Sequence, residues 1–404
     1  MMRLMAITYA VVMGAATVGH AGVSSADDLV AVVEGNGRFA CDLYRKISEP
    51  GGNVFLSPYS ISTALAMTYA GARTITEQEM ATVLYFSLGQ ERQHQALGGL
   101  QKALGSVHGG SVTFQVANSL WAQDGYRFLP AFLDLTTNRY GAKVFLVDFI
   151  RAADVARERI NTWAEDKTNG TIKDLIPPGL VTSLTRLVLC NAVYFKAPWQ
   201  YRFDPAATTD GPFHLTPDST VTVPMMSQRV SLRLLAHDGF RLAELPYAKG
   251  GLSMVIILPD SGLPLESVEH QLTWENLDRW LRDLAEATPQ ELALMLPRFS
   301  MTARYELVET LASMGMPHAF EGADFSGMTG RKDLFISNVI HKAFVDVTEE
   351  GTEASAATAV VLKRGGGPAS FVVDRPFIFL IREHRTGSIL FIGRLVDPLS
   401  VARE

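Results

Sequence analysis

Residues Leu187 to Phe195 read LVLCNAVYF, apolar at even and odd positions alike apart from Asn191. Successive residues of a β-strand point to opposite faces, so this run has no side to turn to water and needs cover on both. Leu252–Leu258 and Leu292–Leu296 share that two-sided apolar character. A chain with several such runs must build large sheets and cover them.

Helical spacing elsewhere supplies the cover. Phe39, Leu43 and Ile47 recur on one helix face, ending near Pro50-Gly51-Gly52. The stretch NVFLSPYSISTALAMTYAGA reads as a short strand, a Ser-Pro turn and an alanine-rich helix. Ala152, Ala156, Ile160 and Trp163 share a helix face that stops at Thr168-Asn169-Gly170-Thr171. Thr273 is placed to cap a helix burying Leu277, Trp280, Leu281 and Leu284. Leu307, Leu311 and Met314 form another, closed by Gly315. SVTFQVANSLWAQ reads as a strand, and RPFIFLIREHRTGSILFIGRL as a hairpin around Arg385-Thr386-Gly387. Helices dominate the first 170 residues and strands the remainder, without strict βαβ alternation. That order predicts an α+β fold with large sheets in one domain.

Composition narrows the functional classes. The 404 residues are 47% hydrophobic and 19% charged, ample for a sizeable core. Net charge is −6 with acids and bases interspersed, so neither a nucleic acid nor an anionic membrane is an expected partner. At the N-terminus Arg3 precedes an apolar stretch, Leu4 to Val18, followed by small residues at Gly19, Ala21, Ser24 and Ala26. This pattern predicts a signal peptide, cleaved after residue 21 or as late as 26, and an exported, extracellular protein. Cys41, in a helical pattern, and Cys190, in an apolar strand, read as two buried free thiols.

No metal-ligand, phosphate-loop, nucleophile-elbow or dinucleotide motif is present, and the nine histidines are scattered. His341, beside a strand, reads as a hydrogen-bonded core histidine. The expectation is a non-enzyme without metal or cofactor.

One segment asks for a different explanation. EEGTEASAATAV, Glu349 to Val360, sets small residues between an acidic and a valine pair, and KRGGGP follows at Lys363–Pro368. At strand spacing one face carries Thr352, Ala354, Ala356, Thr358, Val360 and Leu362 and is uncharged. The other carries Glu353, Ser355, Ala357, Ala359, Val361 and Lys363. An alanine-rich helical turn followed by a flexible loop fits the composition equally well, so the run alone leaves both open.

In combination with its neighbours the run resembles the reactive-loop hinge of serpins, the serine-protease inhibitor family. NVFLSPYSI, LVLCNAVYFKAPW, LPYAKGGLSMVIILPD, LPRFSM, LFISNVIHKAFVDVTEEGTEA and DRPFIFLIREHRTGSILFIGRLVDP match serpin segments in type and order. The resemblance spans Asp28 to Pro398. It implies a serpin fold: a large mixed sheet, additional sheets, about nine helices, and an exposed reactive loop at about 349–370. It also implies a monomer acting as a suicide substrate, whose loop, once cut, inserts into the sheet and carries the acyl-linked protease with it.

Residue by residue, the resemblance assigns the hinge to Glu349, Glu350, Gly351, Thr352, Glu353, Ala354, Ser355, Ala356 and Ala357. Counting from Glu349 at the usual spacing sets the cut at Gly365–Gly366. Arg364–Gly365 is favoured, because Arg364 offers a charged anchor to a trypsin-like protease whereas glycine offers none. Leu362 and Lys363 are further alternatives, and elastase-like targets stay open. Ser57, Ser60, Asn191 and His341 match a polar cluster where the sheet parts. Trp199, Arg298 and Glu349 match the region where the loop enters, with Arg298 and Glu349 as a salt bridge. The segment ERQHQALGGLQKAL has only Arg92 and Lys102 as fixed positive charges, so heparin is not an expected partner. Asn169-Gly170-Thr171 is a glycosylation sequon.

Overall fold

A computed structural model describes residues 25–49, 51–105, 112–248, 251–352, 369–400 and 402–403. The apolar run at Leu187 is the strand Leu187–Pro198, in which every residue but Lys196 is buried. Its alternation divides between two cores. Leu187, Leu189, Val193 and Phe195 enter the larger one, while Val188, Cys190 and Ala192 meet Ala156, Ile160 and Ala164 of helix Phe149–Lys167 in a smaller one. Two-sided burial is therefore achieved by placing a core on each face.

This strand lies inside a seven-stranded sheet. The spatial order is Ala402–Arg403, Phe299–Glu306, Asn338–Val347, Leu187–Pro198, Thr113–Gln123 and Val144–Val147, with Gly351–Thr352 attached to one end of Leu187–Pro198. A second, nine-stranded sheet contains the fully buried strand Leu252–Pro259 and the C-terminal hairpin Phe377–Glu383 with Ile389–Leu395. There are ten α-helices among the described residues, six of them before residue 170. The α+β organisation and the large mixed sheet agree with the sequence reading.

Local chemistry explains the boundaries. Ser25 Oγ accepts from the Asp28 amide and caps helix Ala26–Ser48, whose first turn carries Asp27 and Asp28 against the helix dipole. Thr273 accepts from the Asn276 amide, and helix Trp274–Glu286 buries the four residues expected. Two local readings need correction. Ser57-Pro58 is not a separate turn: Ser57 caps helix Pro58–Tyr69 directly, accepting from the Ser60 amide, and Pro58 occupies the first helical position, where its missing N–H costs nothing. Leu292–Leu296 is not buried on both faces either. In strand Gln290–Pro297, Leu292, Leu294 and Leu296 are buried while Ala293 and Met295 are half-exposed, so only one face meets the core fully.

Candidate functional site: a hinge on a parallel strand pair

Strands Leu187–Pro198 and Asn338–Val347 run parallel, in register from Val188 opposite Asn338 to Tyr194 opposite Phe344. Both continue past the last pair. Beyond Val347 the chain reverses in a tight turn, with the Thr348 amide donating to Gly351 O at 2.8 Å and the Gly351 amide to Thr348 O at 3.3 Å. Gly351 and Thr352 then pair antiparallel with Pro198 and Ala197. Gly351 has φ +142°, and a Cβ there would lie 2.2 Å from Ala197 O and 2.4 Å from Pro198 Cα. Only glycine permits this turn to lie so close to the strand.

The turn is held mainly through its backbone. The Trp199 amide donates to Glu350 O at 2.8 Å, the Trp199 indole Nε1–H to Thr348 O at 3.0 Å, and the Phe203 amide to Glu349 O at 2.8 Å. The indole lies flat on Tyr247, with ring centroids 4.6 Å apart. Glu349 is buried, and its Oε1 accepts from Thr208 Oγ1 at 2.8 Å. Arg298 approaches the same carboxylate only to 4.0 Å and its side chain is 55% exposed. The Arg298–Glu349 pair thus exists, but Thr208 is the closer partner. Glu350 is buried, and neither carboxylate oxygen has a hydrogen-bond partner among the described residues. Burial without such partners is costly for a carboxylate, so this turn is held against a local penalty.

The four polar residues beneath come together. Ser57, Ser60, Asn191 and His341 are all buried. The Ser57 amide donates to His341 Nε2 at 3.1 Å, which makes Nε2 the unprotonated nitrogen. Nδ1 therefore carries the proton and donates to Asn191 Oδ1 at 2.5 Å. Asn191 Nδ2 donates to Ser60 Oγ and to Asn118 Oδ1, while Ser57 Oγ donates to Leu390 O at 2.7 Å. Burial depresses the His341 pKa to about 3, so the ring is neutral at physiological pH. Because Asn191 and His341 are register partners, this network ties the two parallel strands side chain to side chain.

Asn118, Thr208, Phe203 and Tyr247 were not singled out in the sequence. A usable signal existed only for Asn118, a polar residue inside the apolar strand segment VANSLW. Glu353, Ala354, Ser355, Ala356 and Ala357, with Leu362, Lys363, Arg364, Gly365 and Gly366, lie outside the described residues, as do residues 1–24 of the expected signal-peptide region.

The described residues hold no cluster of three or more metal-ligating side chains. A serine, a histidine and a carboxylate do meet at Ser253, His384 and Glu244, but not as an activated nucleophile. Ser253 Oγ lies 2.9 Å from Glu244 Oε1, and the same His384 nitrogen, Nε2, faces both the hydroxyl (2.8 Å) and the carboxylate (3.2 Å). No second ring nitrogen is held by the carboxylate to relay a proton. Cys41 and Cys190 are both buried and free, as the sequence predicted, and burial pushes the Cys41 thiol up to about 12.

Comparison with known proteins agrees with this architecture. A family model described as Serpin (serine protease inhibitor) matches residues 34–398. The leukocyte elastase inhibitor of Bos taurus is 44% identical over 378 residues, covering 90% of this chain and 98% of that protein. An uncharacterized serpin-like protein of Thermococcus kodakarensis is 41% identical over 373 residues, covering 91% and 86%. Among solved structures, uncleaved ovalbumin matches with a TM-score of 0.83 at 30% identity, over 91% of this chain and 100% of that one. Human thyroxine-binding globulin complexed with thyroxine matches with a TM-score of 0.82 at 34% identity, over 92% and 99%.

Proposed function

The chain belongs to the serpin family, and on that premise we propose that it inhibits serine proteases as a suicide substrate, by cleavage and insertion of its reactive loop. The observation that carries the reading is the antiparallel pairing of Gly351 and Thr352 at the end of a parallel strand pair. A strand continuing from Thr352 between the two would exchange one parallel ladder for two antiparallel ones, the slightly more stable arrangement per residue. Continued in register from Thr352 opposite Ala197, it would set Glu353 across from Lys196, Ala354 from Phe195, Ala356 from Val193 and Thr358 from Asn191. The uncharged face of the segment would then meet the larger core, which already holds Ala197, Phe195 and Val193.

Backbone pairing alone does not drive such an insertion. Each new hydrogen bond is worth roughly 0.5–1.5 kcal/mol net, and ordering each residue costs roughly 1–2 kcal/mol. The drive has to come from burying side chains and relieving strain in the uncut form. Small residues allow the sheet to be entered without being forced far apart.

Two observations bear on the target. Several relatives at 40–44% identity are named leukocyte elastase inhibitors, which favours elastase-type proteases and a cut beside Gly365 or Leu362. Arg364 favours a trypsin-like enzyme cutting Arg364–Gly365. In the deciding experiment, mature protein is incubated with trypsin and with elastase, run on denaturing gels, and the released peptide mapped by mass. A denaturant-resistant complex near the summed mass supports inhibition, and the mapped end assigns the bond. Clean cleavage without a complex across several proteases overturns the proposal in favour of a non-inhibitory serpin acting as carrier, chaperone or storage protein, of which the carrier form has support in the likeness to a thyroxine-binding protein. Export belongs to the same proposal, supported by the Arg3–Ala26 pattern; N-terminal sequencing of the secreted product tests it. Heparin activation is not part of the proposal, because helix Gln90–Gly105 carries only Arg92 and Lys102 as fixed positive charges.

A further inference from the structure

We propose that an arginine-lined cavity at the foot of the parallel strand pair is the seat for the freed end of the cut loop, gripping the carboxylate that hydrolysis creates on Arg364. This deepens the proposed function and rests on it, together with a cut at Arg364–Gly365.

Strand direction puts the cavity in place. Leu187–Pro198 begins where Thr113–Gln123 ends, Leu187 facing Ala122, and where Asn338–Val347 begins, Asn338 facing Val188. The segments beyond these three ends enclose about 610 Å³, with Asp124, Arg127, Arg186, Arg331 and Asp333 in the walls. That volume is in the usual range for small-molecule sites, roughly 300–1,000 Å³. The Tyr126 hydroxyl donates to Asp333 O at 2.7 Å and joins two of the segments. Continued in register from Thr352 opposite Ala197, an inserted strand would bring Leu362 across from Leu187, Lys363 from Arg186 and Arg364 from Thr185. Its end therefore arrives at this cavity.

Charge decides which end is welcome. Three guanidiniums stand against two carboxylates, and none of the five forms an ion pair among the described residues. Arg186 is held in position, its Nη1 donating to Ser183 O and Thr185 O, each at 2.9 Å. Arg127 and Arg331 are exposed. Lys363 arriving across from Arg186 makes a like-charge pair, so a loop still continuous at residue 365 is repelled. Hydrolysis of the acyl ester changes this. Water's oxygen bonds to the carbonyl carbon of Arg364, the carbon–oxygen bond to the protease serine breaks, and the serine regains a proton. The carboxylate left behind is the group that guanidinium forks bind best. Phe128, with Leu129 and Ile150, both exposed, offers apolar surface to the aliphatic stems of Lys363 and Arg364. The seat thus selects the hydrolysed chain over the covalent complex, whose ester carries no such charge.

The probe is acetyl-Lys-Arg with a free carboxylate, and its C-terminal amide is the control, each titrated by calorimetry into the whole uncut chain. Saturable one-site binding of the acid is expected, with the amide about tenfold weaker. The double variant Arg127→Ser/Arg331→Ser, both positions being exposed, should bring the acid down to the level of the amide. Absence of saturable binding, or equal affinity for acid and amide, overturns the seat. Occupancy is read on chain cut by trypsin and mapped by mass to a new end at Arg364. Such chain should no longer bind the acid, and its urea midpoint should rise because it has gained a strand. A raised midpoint with binding undiminished, or a mapped end other than Arg364, overturns the loop end as occupant and leaves insertion standing. An unchanged midpoint overturns insertion and the proposed function with it, whereas the uncut chain still decides the seat by its preference for the acid.

Discussion

His341→Gln should flatten the dependence of stability on pH. A histidine in an unfolded chain titrates near 6.5, while His341 in the folded protein is held at about 3 by burial. Between those values the unfolded chain binds the extra proton and the folded one does not. The stabilisation from keeping the ring neutral is therefore fully present above pH 6.5 and is lost as pH falls toward 3. From pH 7 to pH 5 the loss is about 2 kcal/mol by proton linkage. His94, buried and further depressed by Arg139 and Arg73, sits at about 4 and loses a comparable amount over the same window. Together the two predict a decline of about 4 kcal/mol in the wild type, and His341→Gln should halve it. Glutamine retains an acceptor for the Ser57 amide and a donor for Asn191, so the variant has the means to fold. The assay is urea denaturation at pH 7 and pH 5, compared as the difference between the two pH values so that any baseline change cancels. An identical decline in both proteins would refute the claim that His341 stays neutral because it is buried. The local consequence follows from the tautomer. Protonation puts a hydrogen on Nε2, which can then no longer accept from Ser57, and the tie between the parallel strands loosens.

Four further outcomes follow from the hinge and the cores. Gly351→Ala puts a Cβ into Ala197 O and Pro198 Cα and should expel the Gly351–Thr352 pairing; faster limited proteolysis after Glu350 would report it, and unchanged proteolysis would contradict the close approach. Arg298→Ala should cost under about 0.5 kcal/mol, as befits an exposed pair at 4.0 Å, whereas Thr208→Val should cost about 1–2 kcal/mol by stranding the buried Glu349 carboxylate; denaturation midpoints check the order. Thr352→Arg and Ala354→Pro should each turn inhibitor into substrate, seen as cleaved chain in place of covalent complex, and complex formation retained by both would refute the insertion account. Cys41 and Cys190 should fail to react with a thiol reagent at pH 8 until the protein is unfolded, because burial raises both thiols far above that pH.

Much of the architecture was legible because it is written in local periodicity. LVLCNAVYF declares two-sided burial by itself, and Thr273 with its four apolar partners declares a capped helix. Leu292–Leu296 was over-read because a short apolar run does not say whether both of its faces find a core; Ala293 and Met295 are left half-exposed, and only the neighbouring layers decide that. The polar cluster was legible by family pattern, yet its member Asn118 was not, since its tie to Asn191 depends on the register of two strands more than seventy residues apart in sequence. The same limit applies to Glu349. The family pattern points to Arg298, but a buried carboxylate takes the nearest well-aligned donor, and Thr208 reaches it at 2.8 Å.

The composition of Thr352–Lys363 becomes intelligible from the two cores on either side of Leu187–Pro198. A strand inserted beside it would need one face acceptable to the layer of Phe195, Val193 and Leu189 and the other to the layer of Ala192, Cys190 and Val188. Both layers are already packed, so bulk added on either face would have to displace core side chains, whereas alanine, serine and threonine ask little room. The charge nearest the turn would have a partner of opposite sign across it: in register Glu353 would face Lys196, the one residue of that strand left partly exposed. Asn191 and His341 would have to exchange their mutual bond for partners on the incoming strand, and the residue arriving there in register is Thr358, whose hydroxyl both donates and accepts. On this account the hinge is small on both faces because the sheet it would join is buried on both, and polar at Thr358 because the tie it would break is polar.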